Sequence, residues 1–307
     1  MTTGDIAAPR VGIAPDSWGV WNAQDDAQPS AAQYLREVAE AGFHWTELGP
    51  FGYLGTDADQ LRDDLAANDL SLTAGTVFTN LHLGQAEIDT AWNDVREVAQ
   101  LVKELGAEHI ITIPGLWERE EGGAVVGQRA FDAEQWANFF AGHDEIGRRL
   151  AEEFGMRQQF HSHAESPIGS YREVVRLLEN TDERYTNLCL DTGHLAYYAG
   201  DNVRLITEFP TRIGYLHLKQ VEPDLLADVL KNDISFVEAV QLGVMVEPPL
   251  GIPEYGSILT AAAEANPGIF AIVEQDMYPV ADFAQPVAIA KRTHEYIAGC
   301  GADVRFR

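Results

Sequence analysis

AEAGFHW at residues 39–45, KELGAEHI at 103–110 and EEFGMRQQ at 152–159 share one form: the end of an amphipathic helix, a glycine, and the start of an apolar strand. Gly42, Gly106 and Gly155 stand where a helix closes on a left-handed residue, a conformation glycine adopts without steric cost. Working outward from these joins, the same alternation runs along the chain. Strands are expected at 11–18, 44–49, 71–79, 109–114, 157–163, 187–191, 213–219 and 269–276. Helices are expected at 31–41, 57–67, 86–105, 132–154, 170–179, 202–208 and 283–298. In the third helix Val95, Val98, Leu101 and Val102 recur with the 3.6-residue period of a buried face. Strands that alternate with helices make a parallel sheet, and eight such units close most commonly as a barrel. Residues 1–307 are accordingly read as one α/β domain, a (β/α)8 TIM barrel. The competing open sheet lacks its signature, since no GxGxxG follows the first strand.

One interval breaks the rhythm. Between Gln220 and Gly251 the chain inserts VEPDLLADVLKNDISFVEAVQLGVMVEPPLG, read as one or two helices and a proline-rich loop. It follows strand seven, so it belongs at the mouth of the barrel as a lid or packing element. A contact with another copy of the chain, or with a partner subunit, is the other reading.

Composition narrows the function. Asp and Glu number 48 against 21 Lys and Arg, a formal net charge of -27. Such a surface repels the phosphate backbone of nucleic acids and anionic membranes, so neither is expected as a partner. No apolar stretch is long enough to span a bilayer. The leading MTTGDIAAPR has neither the basic segment nor the apolar run of a signal peptide, so a cytoplasmic location is expected. The two cysteines, Cys189 and Cys300, form no CxxC pair and suggest neither a disulfide framework nor a zinc ribbon.

In barrels of this kind the working residues gather at the C-terminal strand ends. Here those ends carry Asp16, Glu47, Thr76, His161, His163, Asp191, His217, Lys219 and Glu274. Leaving one buried polar group unpaired costs roughly 1–3 kcal/mol, and a charge costs more. A cation or ligand that satisfies them all is the economical reading. FHSH puts His161 and His163 on one face of a strand; GYLHLK does the same for Tyr215, His217 and Lys219, and FAIVEQD for Glu274 and Asp276. Imidazoles mixed with carboxylates suit Mn²⁺, Co²⁺, Fe²⁺ or Zn²⁺ better than Ca²⁺. His194 follows closely in LDTGH, and His82 in TNLHLG is expected at the rim. Trp18, Trp21, Phe51 and Tyr53 are expected to stack on a sugar ring or simply to pack. No serine elbow or P-loop is present.

ELGPFGYLG at 47–55, LDTGHLAYYAGD at 190–201, YLHLKQV at 215–221, SFVEAVQLGVMVEPPLG at 235–251 and VEQD at 273–276 resemble the xylose-isomerase-like barrels of sugar isomerases and epimerases. Within these the chain looks most like the inosose dehydratase-like branch, and the resemblance spans nearly its whole length. It implies one divalent metal, Mn²⁺ first, held by His161, Asp191, His217 and Glu274. Three departures stand out. His161 replaces the glutamate of most sugar-isomerase relatives, HLKQ ends in Gln220 where many have aspartate, and EPPLG replaces a Pro-Gly-Asp-Gly turn.

The expected activity is a metal-dependent lyase of the inosose dehydratase type. It would remove water from a cyclic keto-polyol through a metal-stabilised enediolate, with His163 or Glu47 as base and Lys219 or His194 as acid. A keto-sugar isomerase or epimerase, or a lyase of 3-oxo-glycosides, would share the first step. A non-catalytic sugar-binding subunit is the alternative from another class. A DNA-repair nuclease on this fold would need more ligands and a basic groove, which a -27 chain does not offer.

Overall fold

The structure is a computed structural model and describes residues 7–121 and 123–307. Its eight strand runs are Arg10–Ile13, Trp45–Thr46, Ser71–Leu72 continued by Ala74–Thr79, His109–Pro114, Arg157–His161, Thr186–Asp191, Ile213–Leu218 and Phe270–Val273, all parallel to their neighbours. The sheet order begins at Ser71–Leu72 and ends at Ala74–Thr79. Both ends belong to the third run, split only at Thr73, so the sheet returns on itself. Thr73 N–H donates to the Thr46 carbonyl at 2.9 Å and Leu48 N–H to the Ala74 carbonyl at 3.0 Å, carrying the join.

Most strands are shorter than their sequence suggests, and the difference lies at the mouth. The first stops at Ile13 because Pro15 has no N–H to give a ladder; Pro15–Trp18 turns instead as a 3₁₀ helix. That turn ends at Gly19 with φ 71°, where a Cβ would lie 2.1 Å from the Met277 carbonyl oxygen. Glu47, His163, Lys219 and Glu274 each sit just past a strand end rather than within the strand. Gly42, Gly106 and Gly155 have φ of 93°, 85° and 63°, as their helix-closing position requires.

The outer layer comprises helices Ala31–Glu40, Ala58–Ala67, Gln85–Glu104, Ala133–Arg149, Tyr171–Asn180, Asn202–Glu208, Tyr255–Ala265 and Gln285–Ala298. Reciprocal caps start two of them, Asp132 with Gln135 and Ser170 with Glu173. The expected helix over 132–154 changes at Leu150–Phe154 to a π-helical turn. Two helices escaped the sequence reading, Thr192–Tyr197 and Tyr255–Ala265. The second lies in the stretch between the proline-rich loop and the last strand. Among the described residues no helix is long and apolar enough to cross a membrane.

The interval after strand seven folds as helices Pro223–Asn232 and Phe236–Leu242, footed on a small antiparallel ribbon of Gln220–Val221 with Met245–Val246. Phe236, Ala239, Val240, Val221, Val229 and Met245 pack with Ala164, Ala196 and Tyr197 into one apolar cluster. Each large side chain so buried stabilises by roughly 1.5–3 kcal/mol, enough to hold the insertion against the barrel. Inside the barrel Ile111, Cys189, Tyr215 and Ile272 fill the layer beneath the mouth. Cys189 is fully buried, with its thiol pushed up to about 12 by burial. The Tyr215 hydroxyl meets Thr73 Oγ1 at 2.7 Å.

Candidate active site

Parallel register brings the strand ends together. Asp191 pairs with His217 across the sixth and seventh strands, and His161 with Cys189 across the fifth and sixth. One donor atom each from His161, Asp191, His217 and Glu274 lies within 4.8 Å of the others. His161 Nε2 is 3.3 Å from Asp191 Oδ2, and His217 Nδ1 is 2.9 Å from Glu274 Oε2. Asp191 is fixed from behind: it caps Thr192–Tyr197, its Oδ1 accepting the His194 N–H at 2.7 Å, which leaves Oδ2 to the cluster.

The donor set fits a divalent cation. His217 Nε2 donates to Glu47 Oε1 at 2.9 Å, a carboxylate–imidazole pair that makes Nδ1 the bare nitrogen whenever the ring is neutral. Nδ1 then faces a carboxylate oxygen without hydrogen-bond geometry and is buried, as is the unpartnered Nδ1 of His161. Two lone pairs opposed at that distance repel unless a proton or a metal ion lies between them. Four carboxyl groups, Asp16, Asp191, Glu274 and Asp276, surround a single lysine, and a fifth, Glu47, pairs with His217. Lys219 is the one Lys or Arg among the described residues that line the cavity. Its Nζ is 2.8 Å from Asp276, 3.2 Å from Glu274, 3.5 Å from Asp191 and 3.9 Å from Asp16.

The electrostatics divide the carboxyls. Burial alone would raise all of them. Against that burial, Lys219 and His161 hold Asp191 well below the usual carboxylate range, and His217 and Lys219 hold Glu274 down to about 2. Asp16 goes the other way, raised well above the ordinary value by burial and by Glu274; Asp276 is raised too, by burial against the pull of Lys219. His217 is raised despite its burial, by Cys189, Glu274 and Glu47, so a proton serves where a cation is wanted.

His163 donates from Nδ1 to the Ala164 carbonyl at 2.6 Å, leaving an unprotonated Nε2 on a ring that lines the cavity. Burial and His161 push it down to about 3, so it is neutral through the physiological range. His194 accepts the Ala164 N–H on Nδ1 at 3.1 Å, which puts its own proton on Nε2, 3.2 Å from Lys219 Nζ. The approach depends on Gly193, where a Cβ would lie 2.8 Å from Lys219 Cβ. His194 is fully buried and lies behind His163, the ring centroids 3.8 Å apart.

These groups open onto a cavity of about 420 Å³. Its floor carries Glu47, His161, His163, Lys219, Glu274, Asp16 and Asp276; Asp191, His217 and His194 stand behind that lining. Its outer wall is apolar and comes from loops, the outer end of the third strand and the insertion, with Trp21, Phe51, Phe78, Leu116, Phe236 and Val237 prominent. Trp18 and Tyr53 only pack: Trp18 is buried with its Nε1–H on Glu37, and the Tyr53 hydroxyl donates to the Pro29 carbonyl. His82 stacks on Phe131, away from the cavity. Gln220 clips the insertion, donating to the Pro253 carbonyl at 2.7 Å and accepting the Gly251 N–H at 3.0 Å.

Sequence reasoning missed the group that ties this wall. Glu165, two residues past His163, has φ 58°, a left-handed conformation costly for a residue with a Cβ. Its carboxylate pairs with Arg119 and accepts the Phe236 N–H at 3.0 Å. Its carbonyl accepts the Trp117 N–H at 2.7 Å, and its N–H donates to the Tyr198 hydroxyl at 3.0 Å. Arg119 also reaches Asp233 at 3.1 Å, and Arg129 reaches it at 2.5 Å. One carboxylate thereby joins the loop after strand four, the loop after strand five and the insertion. Only the spacing from His163 could have flagged it. Asp276 carried a better signal, being two residues past Glu274 on the same face.

Comparison with known proteins agrees with the architecture. Residues 35–300 match a family described as the xylose isomerase-like TIM barrel. The chain is 30% identical over 277 residues to the rhizopine catabolism protein MocC of Rhizobium meliloti, covering 90% of this chain and 83% of that one. It is 29% identical over 307 residues to an inosose dehydratase of Geobacillus kaustophilus, covering 94% and 93%. Among solved structures, an IOLI protein with a bound zinc atom superposes with a TM-score of 0.71 at 13% identity, over 95% of this chain and 98% of that one.

Proposed function

Because the chain belongs to the xylose isomerase-like TIM barrel family, we propose that it is a metal-dependent lyase of the inosose dehydratase type, removing water from a cyclic keto-polyol at the floor of the cavity. The observation that carries this reading is the opposition of His217 Nδ1 and Glu274 Oε2 at 2.9 Å inside a ring of carboxylates, with His161 and Asp191 completing the donors. Those four residues hold the ion, Mn²⁺ first and Co²⁺, Fe²⁺ or Zn²⁺ as substitutes. When bound, the ion would supply Lewis acidity to the substrate carbonyl, which makes the hydrogen α to it acidic.

The chain's own groups do the rest. His163 offers the Nε2 lone pair and takes the α-proton. The electron pair of that C–H bond becomes a carbon–carbon double bond as the β-hydroxyl departs. The hydroxyl leaves as water with a proton from another group of the floor, where Lys219 and the raised carboxyl of Asp16 are the carriers. His194 is placed behind Lys219 as a positioning residue. Glu47 orients His217 through Oε1, which makes it the weaker candidate for the base. Lys219 is already shared among four carboxylates and, among the described residues, no arginine lines the cavity, which supports an uncharged substrate over a sugar phosphate.

The test is to supply scyllo-inosose in D₂O to protein loaded with Mn²⁺ and follow it by NMR. Elimination gives a dione whose formation stops with chelator and returns with Mn²⁺ or Co²⁺. Deuterium exchange at the α-carbon without loss of water would replace this reading with epimerisation. No change in a metal-loaded sample would overturn both.

A further inference from the structure

The outer half of the cavity is unlike its floor. Phe78, Leu116 and Val237 are 60%, 36% and 46% exposed, yet all three line this one cavity. Apolar side chains left in water on a concave wall mark a surface shaped for contact. Along strand three the change occurs within one face, from Thr76 to Phe78 two residues further out. Across the mouth, Phe236 packs edge-on against the His163 ring at 4.8 Å, so wall and floor are continuous. Trp21 stacks on Tyr278 at 5.1 Å, which holds its ring on the rim.

A bare polyol does not match this arrangement. With its carbonyl at the floor, the hydroxyls on its far side would meet Phe78, Leu116 and Val237 and lose partners they had in water. Volume points the same way. A cavity of about 420 Å³ lies in the range that takes drug-sized ligands, and a single six-membered polyol ring is far smaller.

We propose that Trp21, Phe51, Phe78, Leu116, Phe236 and Val237 form a subsite for an apolar substituent, so that the preferred substrate is an uncharged polyol ring carrying an alkyl or aryl ether on the side away from the floor. The proposal rests on the floor being the reacting end, and its test does not depend on turnover. Titration calorimetry on the Mn²⁺-loaded protein compares myo-inositol with a mono-O-benzyl-inositol. The benzyl ether is expected to bind at least about 10-fold tighter, the scale on which an apolar pocket discriminates. In Phe78→Ser with Val237→Ser that ratio falls towards one. Both side chains are largely open to water, so the fold survives, and circular dichroism checks it. Equal binding by the wild type, or a ratio that survives the substitutions, overturns the proposal. Loss of a larger assembly in the variant with the ratio unchanged, read by light scattering, also overturns it and assigns the wall to a contact between copies of the chain. Benzyl preference without consumption of any keto-polyol would instead count against the lyase reading alone.

Discussion

The floor and the outer wall of one cavity are built by different means. Floor groups sit at strand ends or within three residues of them, close to where parallel register fixes each backbone to its neighbour. The wall comes mostly from loops and the insertion, with Phe78 at the outer end of strand three, and a single buried carboxylate, Glu165, gathers two of the loops and the insertion. Register tolerates little displacement, so the floor can hold donor atoms within 4.8 Å of one another. Loops hold position only as well as their side-chain ties. The floor is therefore where chemistry is exact and costly to disturb, and the wall is where selectivity is adjustable.

The largest effect should come from the floor. Asp191→Ala removes a donor that also caps Thr192–Tyr197 and balances Lys219. Turnover should fall by about 10³-fold or more and the metal content with it, checked by elemental analysis beside product formation. Retained turnover by a metal-free variant would break the distinction between floor and wall at its root. Next come two substitutions that separate the neighbours of the donors. His163→Ala should lower kcat by about 10²-fold or more while metal content is kept. Glu47→Gln should lower metal affinity by about 10–100-fold through His217, with kcat at saturating metal far less changed. The reverse pattern would make Glu47 the base.

The same cluster predicts a pH dependence. Without metal, the raised His217 is protonated at neutral pH, and a proton must leave before Nδ1 can serve as a donor. Metal uptake should release about one proton, and affinity should rise about tenfold per pH unit until pH passes the raised value. Calorimetry in buffers of different ionisation enthalpy counts that proton. Uptake without proton release would mean that the ion does not use His217.

Much of the fold was legible because it is periodic. Helix–glycine–strand joins recur, and the period gives the eight strands without tertiary information. His161, Asp191, His217 and Glu274 stood out with other polar residues that end apolar runs, the family resemblance singled out these four, and the strand ends bring them together. Strand ends read less well. Pro15 stops the first strand early, and Lys219 stands beyond the seventh because the next residues pair with Met245–Val246. The helix Tyr255–Ala265 was missed because a proline-rich loop obscures its start. Arg119, Glu165 and Asp233 were illegible for a deeper reason. They are 46 and 68 residues apart along the chain, and nothing local to any of them announces the partner.

The wall can be sharpened by comparing the two arginines that meet Asp233. The Arg119 side chain is 10% exposed and that of its partner Glu165 9%, whereas Arg129 is 46% exposed. Arg119→Gln strands a buried carboxylate, and breaking such a pair costs about 3 kcal/mol or more. Phe236 N–H keeps its acceptor, but the loop after strand four loses its anchor, so Leu116 and Trp117 should drift. A lower urea midpoint and a rise in KM of several-fold are expected, with kcat changed less because strand register still holds the floor. Arg129→Gln removes a half-exposed pair that water and salt already screen, so it should cost no more than about 1 kcal/mol and leave KM alone. If the two variants lose stability equally, the Glu165 tie is no stronger than a surface contact. If Arg119→Gln lowers kcat as much as it raises KM, the wall reaches into the chemistry through Ala164, whose carbonyl sets the tautomer of His163.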